Sequence, residues 1–463
     1  MNIRTDIQRR TVTALKKIQS ATGVPGISVA FSKGGEGAFQ ISVGKSSLND
    51  NSKLSTSSRF EISCLMKFFV ALVTLELAAR GNICLDTLIQ TYLPEMSGDP
   101  FKKGNEITIR HLISHTSGYL GLDIANSQVR WNFSWDRFVA HFNHFEPLFS
   151  PGEVFNYEHS EAVILGEIIH RATGASARQL VEKWIFEPLN IVPGTTSSDK
   201  SNPSIFVASH GYSSDAQRFS PLSIPPFGKF WDASLPDWTL GVSDLHTIGA
   251  NLIKKRTARS CPVFSPSTLE ELGKHAVAIP AGINSNSFSE NFPHYFGFGA
   301  ARYADGWLGH NGSVLGQTCG LRFNPQSGIT VAVGVNAWSP YARDTALQYI
   351  CALASGLPVT SIGAASLRVL FPLRKLTNGF SISDICGHYI GSYLGSIAIT
   401  KNDDGLAIEL GRGRAKRTIQ IMPAEEDNFE IITHLPATIG FSKDPLTGAP
   451  VLFLGMYSYK KAA

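Results

Sequence analysis

Charge is scarce in this chain. Of 463 residues only 17% are Asp, Glu, Lys or Arg, and 41 basic side chains stand against 37 acidic ones. A net charge of +4 over that length provides no basic stripe of the kind that binds nucleic acid. Long apolar runs are missing too: no segment reaches the roughly 18 uninterrupted apolar residues of a membrane span. The N-terminal stretch MNIRTDIQRRTVTALKKIQSATG is a charged amphipathic helix pattern with Ile7, Val12, Leu15 and Ile18 on its apolar side, and it lacks the apolar core of a signal peptide. Cys64, Cys84, Cys261, Cys319, Cys351 and Cys386 are scattered, without a C-x-x-C pair or a disulfide-framework spacing. These absences predict a reduced, cytoplasmic protein with no nucleic-acid partner and no membrane partner.

What is present is apolar: 43% of the residues, enough for a well-filled core. The length predicts a large domain plus a smaller one. Pro25–Phe31 and Ala38–Val43 read as paired strands across a glycine-rich turn. The segment from Cys64 to Arg80 is apolar nearly all round, which marks a buried helix, with Gly81 placed to end it. Helix patterns follow at Glu161–Ala172 and Ala177–Phe186, then strands at Gly320–Asn324 and Ile329–Asn336 and a helix at Asp344–Ser355. Strands at both ends with helices between predict an α+β domain over residues 1–375. Residues 356–384 read as a connector. From 385 to 463 six short alternating runs separated by Gly, Asn and Asp, and no helix pattern, predict a small β-barrel or sandwich.

The chemistry starts at Phe60-Glu-Ile-Ser-Cys64-Leu-Met-Lys67. Cys64 and Lys67 lie at i and i+3, on one face of a helix. A cysteine opening an apolar helix is ordinarily a small core residue. A lysine inside so apolar a helix is costly to bury without a role, and burial lowers its pKa so that it can act as a base. A thiol beside such an amine is an activated nucleophile. Two further segments carry ionisable side chains: Pro151-Gly-Glu-Val-Phe-Asn-Tyr157-Glu-His159-Ser160, and Gly309-His310-Asn311-Gly312-Ser313.

In this order the three segments resemble the motifs S-x-x-K, Y-x-N (or Y-x-S) and K-T-G (or H-x-G) of the serine β-lactamase and penicillin-binding-protein superfamily. The likeness is to its branch of class C β-lactamases, D-aminopeptidases, esterases and transacylases. Ile107-Thr-Ile-Arg-His-Leu-Ile-Ser-His-Thr-Ser-Gly118 and Gly241-Val-Ser-Asp244-Leu245 are family-like as well, and the resemblance runs from about residue 5 to 355.

It implies an antiparallel sheet flanked by helices with an all-helical subdomain, and a lipocalin-like barrel for 385–463. It implies Cys64 as nucleophile, Lys67 as its proton acceptor and Tyr157 as proton shuttle to the leaving group. The backbone N–H groups of Cys64 and Ser313 would form an oxyanion hole. His310 would line the cleft as a catalytic residue and position the substrate carbonyl or carboxylate, with Asn311 and Gly312 binding substrate. No cofactor is implied.

Two departures stand out. Cys64 replaces the nucleophilic serine, and His159 stands where asparagine or serine is usual. A thiol ionises far more readily than a hydroxyl, so Cys64 needs less help. His159 either transfers protons or replaces the asparagine's hydrogen bonds. Ser63 is the rival nucleophile, but Lys67 is then at i+4, out of the motif's register. His111 and His115 have a helical metal-ligand spacing but no H-E-x-x-H glutamate, so no metal is expected. Gly411–Arg417 is a basic run read as a solvated hairpin turn. Trp131, Trp135, Phe227, Phe230, Trp231 and Trp238 are expected to wall an apolar pocket, with Trp238 against substrate.

A thioester reacts comparatively well with amines, which favours transfer over hydrolysis. The expected activity is a cysteine-dependent acyltransferase or peptide cyclase/thioesterase acting on a small-molecule or peptidyl acyl substrate, carrier-protein bound or free. The alternatives are an esterase or amidase with the same acyl-enzyme, a degenerate binding protein with an inert Cys64, and an engineered Ser→Cys variant.

Overall fold

The structure, a computed structural model, describes residues 3–34, 37–50, 52–98, 106–119, 133–143, 147–199, 202, 205–213, 218–222, 229–253, 264–272, 274, 277–279, 293, 295–314, 316–357, 380–391, 395–402, 405–410, 417–424, 428–431, 439–443, 447–454 and 457–462. Trp131, Phe227, most of the connector and residues 411–416 of the basic run lie outside them.

An eight-stranded antiparallel sheet forms the centre of the main body, in the spatial order Phe39–Gly44, Gly26–Lys33, Ile329–Val335, Gln317–Asn324, Leu308–Val314, Ala301–Arg302, Tyr295–Phe296, Val277–Ala278. The early and late strands meet in the middle: Ile27 lies opposite Val335 and Lys33 opposite Ile329. Ile329–Val335 is buried on both faces, which is why it reads as a continuous apolar run rather than an alternating one.

One face carries Ile27, Val29, Phe31, Val331 and Val333 and is covered by Leu15 and Ile18 of the helix Ile3–Thr22 and by Ala342, Ala346, Leu347 and Ile350 of the helix Pro340–Ser355. The other face, with Ala30, Leu321, Phe323 and Ala332, packs on the helices Val242–Leu252 and Leu65–Ala79. Leu65–Ala79 has Leu65 through Leu77 buried, so it is the axis around which the helices Ile109–Ile113, Trp135–Phe142, Ser160–Thr173 and Ala177–Val181 gather. Its buried acid, Glu76, is paired with Arg80 and accepts from Ser265 N and Thr268 Oγ1, each at 2.8 Å. Gly174 ends Ser160–Thr173 in the left-handed region (φ 75°), and Ser176 caps the next helix through Gln179 N. The architecture is therefore α+β, an antiparallel sheet between helices with a helical subdomain beside it.

Beyond the short helix Ile382–Ile385, eight strands form a second antiparallel sheet in the order Asn428–Ile431, Arg417–Ala424, Gly405–Leu410, Gly395–Asn402, Gly387–Gly391, Tyr457–Lys461, Pro450–Leu454, Ile439–Lys443. The two edge strands are not paired with each other among the described residues. Closure into the expected barrel is not seen among the described residues. Alternation and turn residues reveal strands, but closure depends on tilt and shear, which leave no mark in a strand's own composition. The expectation of six strands also missed Ile439–Lys443 and the hairpin that divides 450–461. Among the described residues no helix is long and apolar enough to cross a membrane.

Two histidines are buried structural links of the main body. His210 donates through Nδ1 to Asn336 O at 2.7 Å and accepts from Leu48 N at 3.2 Å, and His246 Nε2 meets Ser32 Oγ at 2.8 Å. Burial lowers both imidazole pKa values, that of His246 to about 4. A depressed histidine pKa means the unfolded chain takes up the proton first as pH falls. The stability is thus fully present above about pH 6.5 and is lost as pH falls toward the folded value. Thermal unfolding followed from pH 7.5 to 5 should show a falling midpoint, with His246 alone contributing a loss of about 2 kcal/mol at pH 5. His246→Gln should flatten that part of the slope, and an unchanged slope in the variant would assign it to other groups.

Candidate active site

Cys64 sits at the N-cap of Leu65–Ala79, preceded by Ser63 at φ 45°, a left-handed conformation that an L-residue adopts only under constraint. The constraint is visible: Ser63 Oγ donates to Ser313 O at 2.8 Å, tying the helix start to the strand Leu308–Val314. That hydroxyl is engaged as a tether, which leaves Cys64 as the thiol facing Lys67. Gly312 lets the strand approach, since a Cβ there would lie 2.2 Å from Ile62 O.

Burial pushes the Cys64 thiol up, but the Lys67 charge and hydrogen bonds from Tyr157, Ser63 and Lys67 outweigh it, and the net pKa is lowered. The helix N-terminus acts in the same direction, its partial positive charge favouring a thiolate. Lys67, 4% exposed, is lowered by burial and pulled back by Cys64, Glu158 and Glu161. Its Nζ lies 2.9 Å from His159 Nδ1 and 5.0 Å from the centre of the Tyr157 ring. His159 Nδ1 also meets Ser234 Oγ at 3.0 Å. With Lys67 and Ser234 donating, Nδ1 is the acceptor and the ring is neutral, consistent with a pKa held well below 6.5 by burial and by Lys67. His159 is thus placed to hold Lys67 by a hydrogen bond.

Tyr157, 5% exposed, lies in a cluster with Phe155, Phe296 and Tyr303 against which Cys64 packs. The His115 ring lies 4.6 Å from the Tyr157 ring, and His115 Nδ1 is hydrogen-bonded to Glu161 Oε2. Burial pushes the Glu161 carboxyl well up and the His115 imidazole well down, disfavouring charge on both, while the Lys67 charge pulls Glu161 back. His111 is separate: its Nδ1 accepts from Thr108 N at 3.3 Å, capping Ile109–Ile113. Among the described residues no group of three or more His, Cys, Asp or Glu is placed to hold a metal.

His310 is 3% exposed and its ring centre is 6.0 Å from that of Tyr157. Its Nδ1 donates to Asn311 O at 2.7 Å, while its buried Nε2 has no partner among the described residues. Burial and Lys67 keep this imidazole neutral, so the free atom is a lone pair and not a cation. Strand alternation separates its neighbours. Asn311 and Ser313 face the opposite side of the sheet, where Asn311 Oδ1 accepts from Arg322 at 2.8 Å and Ser313 Oγ from Arg343 at 3.0 Å. Only their backbones, with Gly312, belong to the Cys64 face. The expectation of a substrate contact from the Asn311 side chain is corrected accordingly.

Trp238 is also not brought to the site. It is 1% exposed, packed on Phe186 (5.0 Å between rings) with the Arg178 guanidinium 4.4 Å from its ring centre. Its backbone serves instead, Trp238 O accepting from Ile62 N at 3.1 Å. Trp135, Phe230 and Trp231 join an aromatic cluster around Phe138 in the helical subdomain. Sequence reasoning missed Ser234, Glu161 and Asn156. An acid in an apolar helix was the available signal for Glu161, and nothing marked Ser234.

Comparison with known proteins places this geometry. A β-lactamase of Escherichia coli (strain K12) is 27% identical over 186 residues, 40% of this chain and 46% of its own length. Penicillin-binding protein 4* of Bacillus subtilis (strain 168) is 29% identical over 174 residues, 35% and 36% respectively. Each match thus spans less than half of the relative's length. Among solved structures, SurE superposes with a TM-score of 0.70 at 18% identity over 100% of both chains. The octameric penicillin-binding protein homologue from Pyrococcus abyssi gives 0.66 at 20% identity, over 97% of this chain and 99% of its own. These last two likenesses concern the fold alone. The Beta-lactamase family model matches residues 9–354, and the chain belongs to that family.

Proposed function

We propose that the protein is an acyl-transfer enzyme working through a Cys64 thioester, with an amine as the acyl acceptor. The observation that carries this is the placement of Cys64 at the start of the buried helix, one turn before the buried Lys67 and against the cluster that holds Tyr157, an arrangement in which the Lys67 charge lowers the thiol pKa. The Cys64 thiolate attacks the carbonyl carbon of an ester, thioester or amide donor. The oxyanion forms against the N–H groups of Cys64 and Ser313, the first being one of the amides that a helix start leaves without an internal acceptor. Tyr157 gives its proton to the leaving group and is restored through Lys67. An incoming amine then attacks the thioester, loses its proton to the Tyr157–Lys67 pair, and expels the thiolate. His159, neutral and accepting, holds Lys67 in place through both steps.

His310 refines the substrate. A buried unpartnered acceptor costs about 1–3 kcal/mol, which a donor on the substrate would recover. A carboxylate has only acceptors and cannot serve. We therefore favour an acyl donor with an amide or amine N–H close to the reacting carbonyl, an aminoacyl or peptidyl group. Solved structures of like fold include SurE with D-Leu and a D-stereospecific amidohydrolase from Streptomyces sp., a ligand and an activity in keeping with that class. Hydrolysis by the same acyl-enzyme is the second reading, favoured by that amidohydrolase and by EstCE1, described as a hydrolase with promiscuous acyltransferase activity.

Iodoacetamide at neutral pH should alkylate Cys64 well before Cys319 and Cys351, whose thiols burial pushes up to about 12. Lys67→Met should shift the Cys64 profile to higher pH, and peptide mapping reads both results. An unreactive Cys64 in the unaltered chain would overturn the nucleophile assignment.

With an N-acylaminoacyl thioester and a primary amine, amide should exceed free acid among the products. Cys64→Ala should abolish turnover, and Tyr157→Phe should lower it roughly 10²–10⁴-fold. Free acid as the main product at high amine would establish the hydrolase. His310→Phe should raise KM for the aminoacyl donor more than for a plain acyl thioester, and an equal effect on both would remove the N–H contact.

A further inference from the structure

The segment from Leu148 to His159 delivers Tyr157 to Cys64 without a helix or strand to shape it. Irregular backbone near a core holds its course only where its polar groups find partners elsewhere. On one side those partners come from the turn at 115–118. Leu148 N donates to Gly118 O (2.8 Å), Gly152 N to Thr116 O (2.7 Å) and Asn156 N to His115 O (2.8 Å). On the other side they come from the far end of the chain. Ser458 N donates to Asn156 Oδ1 at 3.1 Å, and Lys460 Nζ donates to Leu148 O at 2.9 Å. Val451, 1% exposed, closes a small apolar cluster with Phe149 and Val154.

Asn156 is the joint. It is 2% exposed, and its Nδ2 donates to Tyr119 O and to Glu158 Oε1, both at 3.3 Å, while its Oδ1 takes the Ser458 N–H. Every polar group of this side chain is therefore used, one of them across 302 positions of sequence. The next residue is Tyr157.

We propose that the C-terminal sheet is a working part of the site: through Ser458 and Lys460 it holds the 148–158 segment, with Asn156 as a positioning residue that sets the Tyr157 hydroxyl against Cys64. The proposal rests on the acyl-enzyme reading for what Tyr157 does, and adds that the second sheet is required for it. A sheet that merely packed against the main body would change melting behaviour and leave Cys64 reactivity alone.

The test uses the full-length chain carrying Asn156→Leu or Lys460→Ala, each alone and combined with Tyr157→Phe. Two quantities are read: the rate of Cys64 alkylation by iodoacetamide against pH, and kcat and KM for transfer from an acyl N-acetylcysteamine thioester to a primary amine. Loss of the Asn156 tether should move the alkylation profile to higher pH and lower kcat roughly three- to tenfold, with KM little changed, the size expected for one buried neutral hydrogen bond. In the Tyr157→Phe background the same substitutions should have no further effect, because they act through that hydroxyl. Lys460 is only partly buried, so its variant carries the test if Asn156→Leu does not fold. Variants that melt earlier yet match the unaltered chain in profile and kcat would overturn the proposal, as would effects that add fully to Tyr157→Phe. An unaltered chain with an unreactive Cys64 would overturn the acyl-enzyme reading and this proposal together. A reactive one with insensitive variants would overturn this proposal alone.

Discussion

A buried cation organises this site. Lys67 is placed by the apolar pattern of its helix in an interior where an unpaired ammonium would cost several kcal/mol. It also stands in the first turn, where the helix dipole opposes a positive charge. Its surroundings answer both costs. Cys64 offers the anion, His159 a lone pair at 2.9 Å and Tyr157 a ring face at 5.0 Å. Each of the two groups favours the charged form of the other, so the lowering of the Cys64 pKa follows from burying the lysine beside it. The same cation keeps His159 and His310 from taking up protons, which leaves both as acceptors. One electrostatic constraint thus assigns the roles of four side chains.

That constraint was legible in the sequence because its members are close in sequence or sit in short motifs. Cys64 and Lys67 declare themselves by helical spacing, and Tyr157 and His159 by a motif just before a helix start. The burial of Ile329–Val335 was equally plain from its continuous apolar run. What escaped were relations that only the folded chain creates. Ser234 reaches His159 from 75 positions away, and no local pattern marks a serine in a loop as a hydrogen-bond partner. The joint between Asn156 and Ser458 involves a backbone N–H, which every residue but proline carries and which therefore has no sequence signature. The assignment of Asn311 to the site was a different failure. Its alternation with His310 along one strand already placed its side chain on the other face, but the motif was read as a unit. Barrel closure was unreadable for a geometric reason, since composition marks strands but not how the first and last of them meet.

The replacement of serine by cysteine changes what the rest of the site must supply. A serine hydroxyl needs a strong base at the moment of attack, and Lys67 would have to be neutral to provide it. A thiol of lowered pKa asks less of Lys67 as a base at the moment of attack, and on the proposed route the lysine's proton passes through Tyr157 to the leaving group. The bottleneck then shifts from forming the acyl-enzyme to resolving it. Deacylation requires a proton to leave the acceptor, and the group nearest the sulfur that can relay it is the Tyr157 hydroxyl. An amine brings its own nucleophilicity to that step, where water would lean harder on the base. On the proposed acyl-enzyme route, this is the reason for favouring an amine acceptor over water.

A proton relay through Tyr157 depends on how its hydroxyl is held. Its ring is fixed laterally by His115 and Phe296, but ring packing tolerates sliding along the ring plane, and a proton relay does not. Backbone tethers on either side of residue 157 remove that freedom. Glu158 N donates to His115 Nδ1 at 3.4 Å, and Asn156 is bound on one side to the 115–119 turn and on the other to the second sheet. The same turn carries His115, whose Nδ1 is hydrogen-bonded to Glu161, and burial there disfavours charge on both partners. One turn thus steadies the tyrosine's backbone and limits how strongly a carboxylate competes with Cys64 for the Lys67 charge.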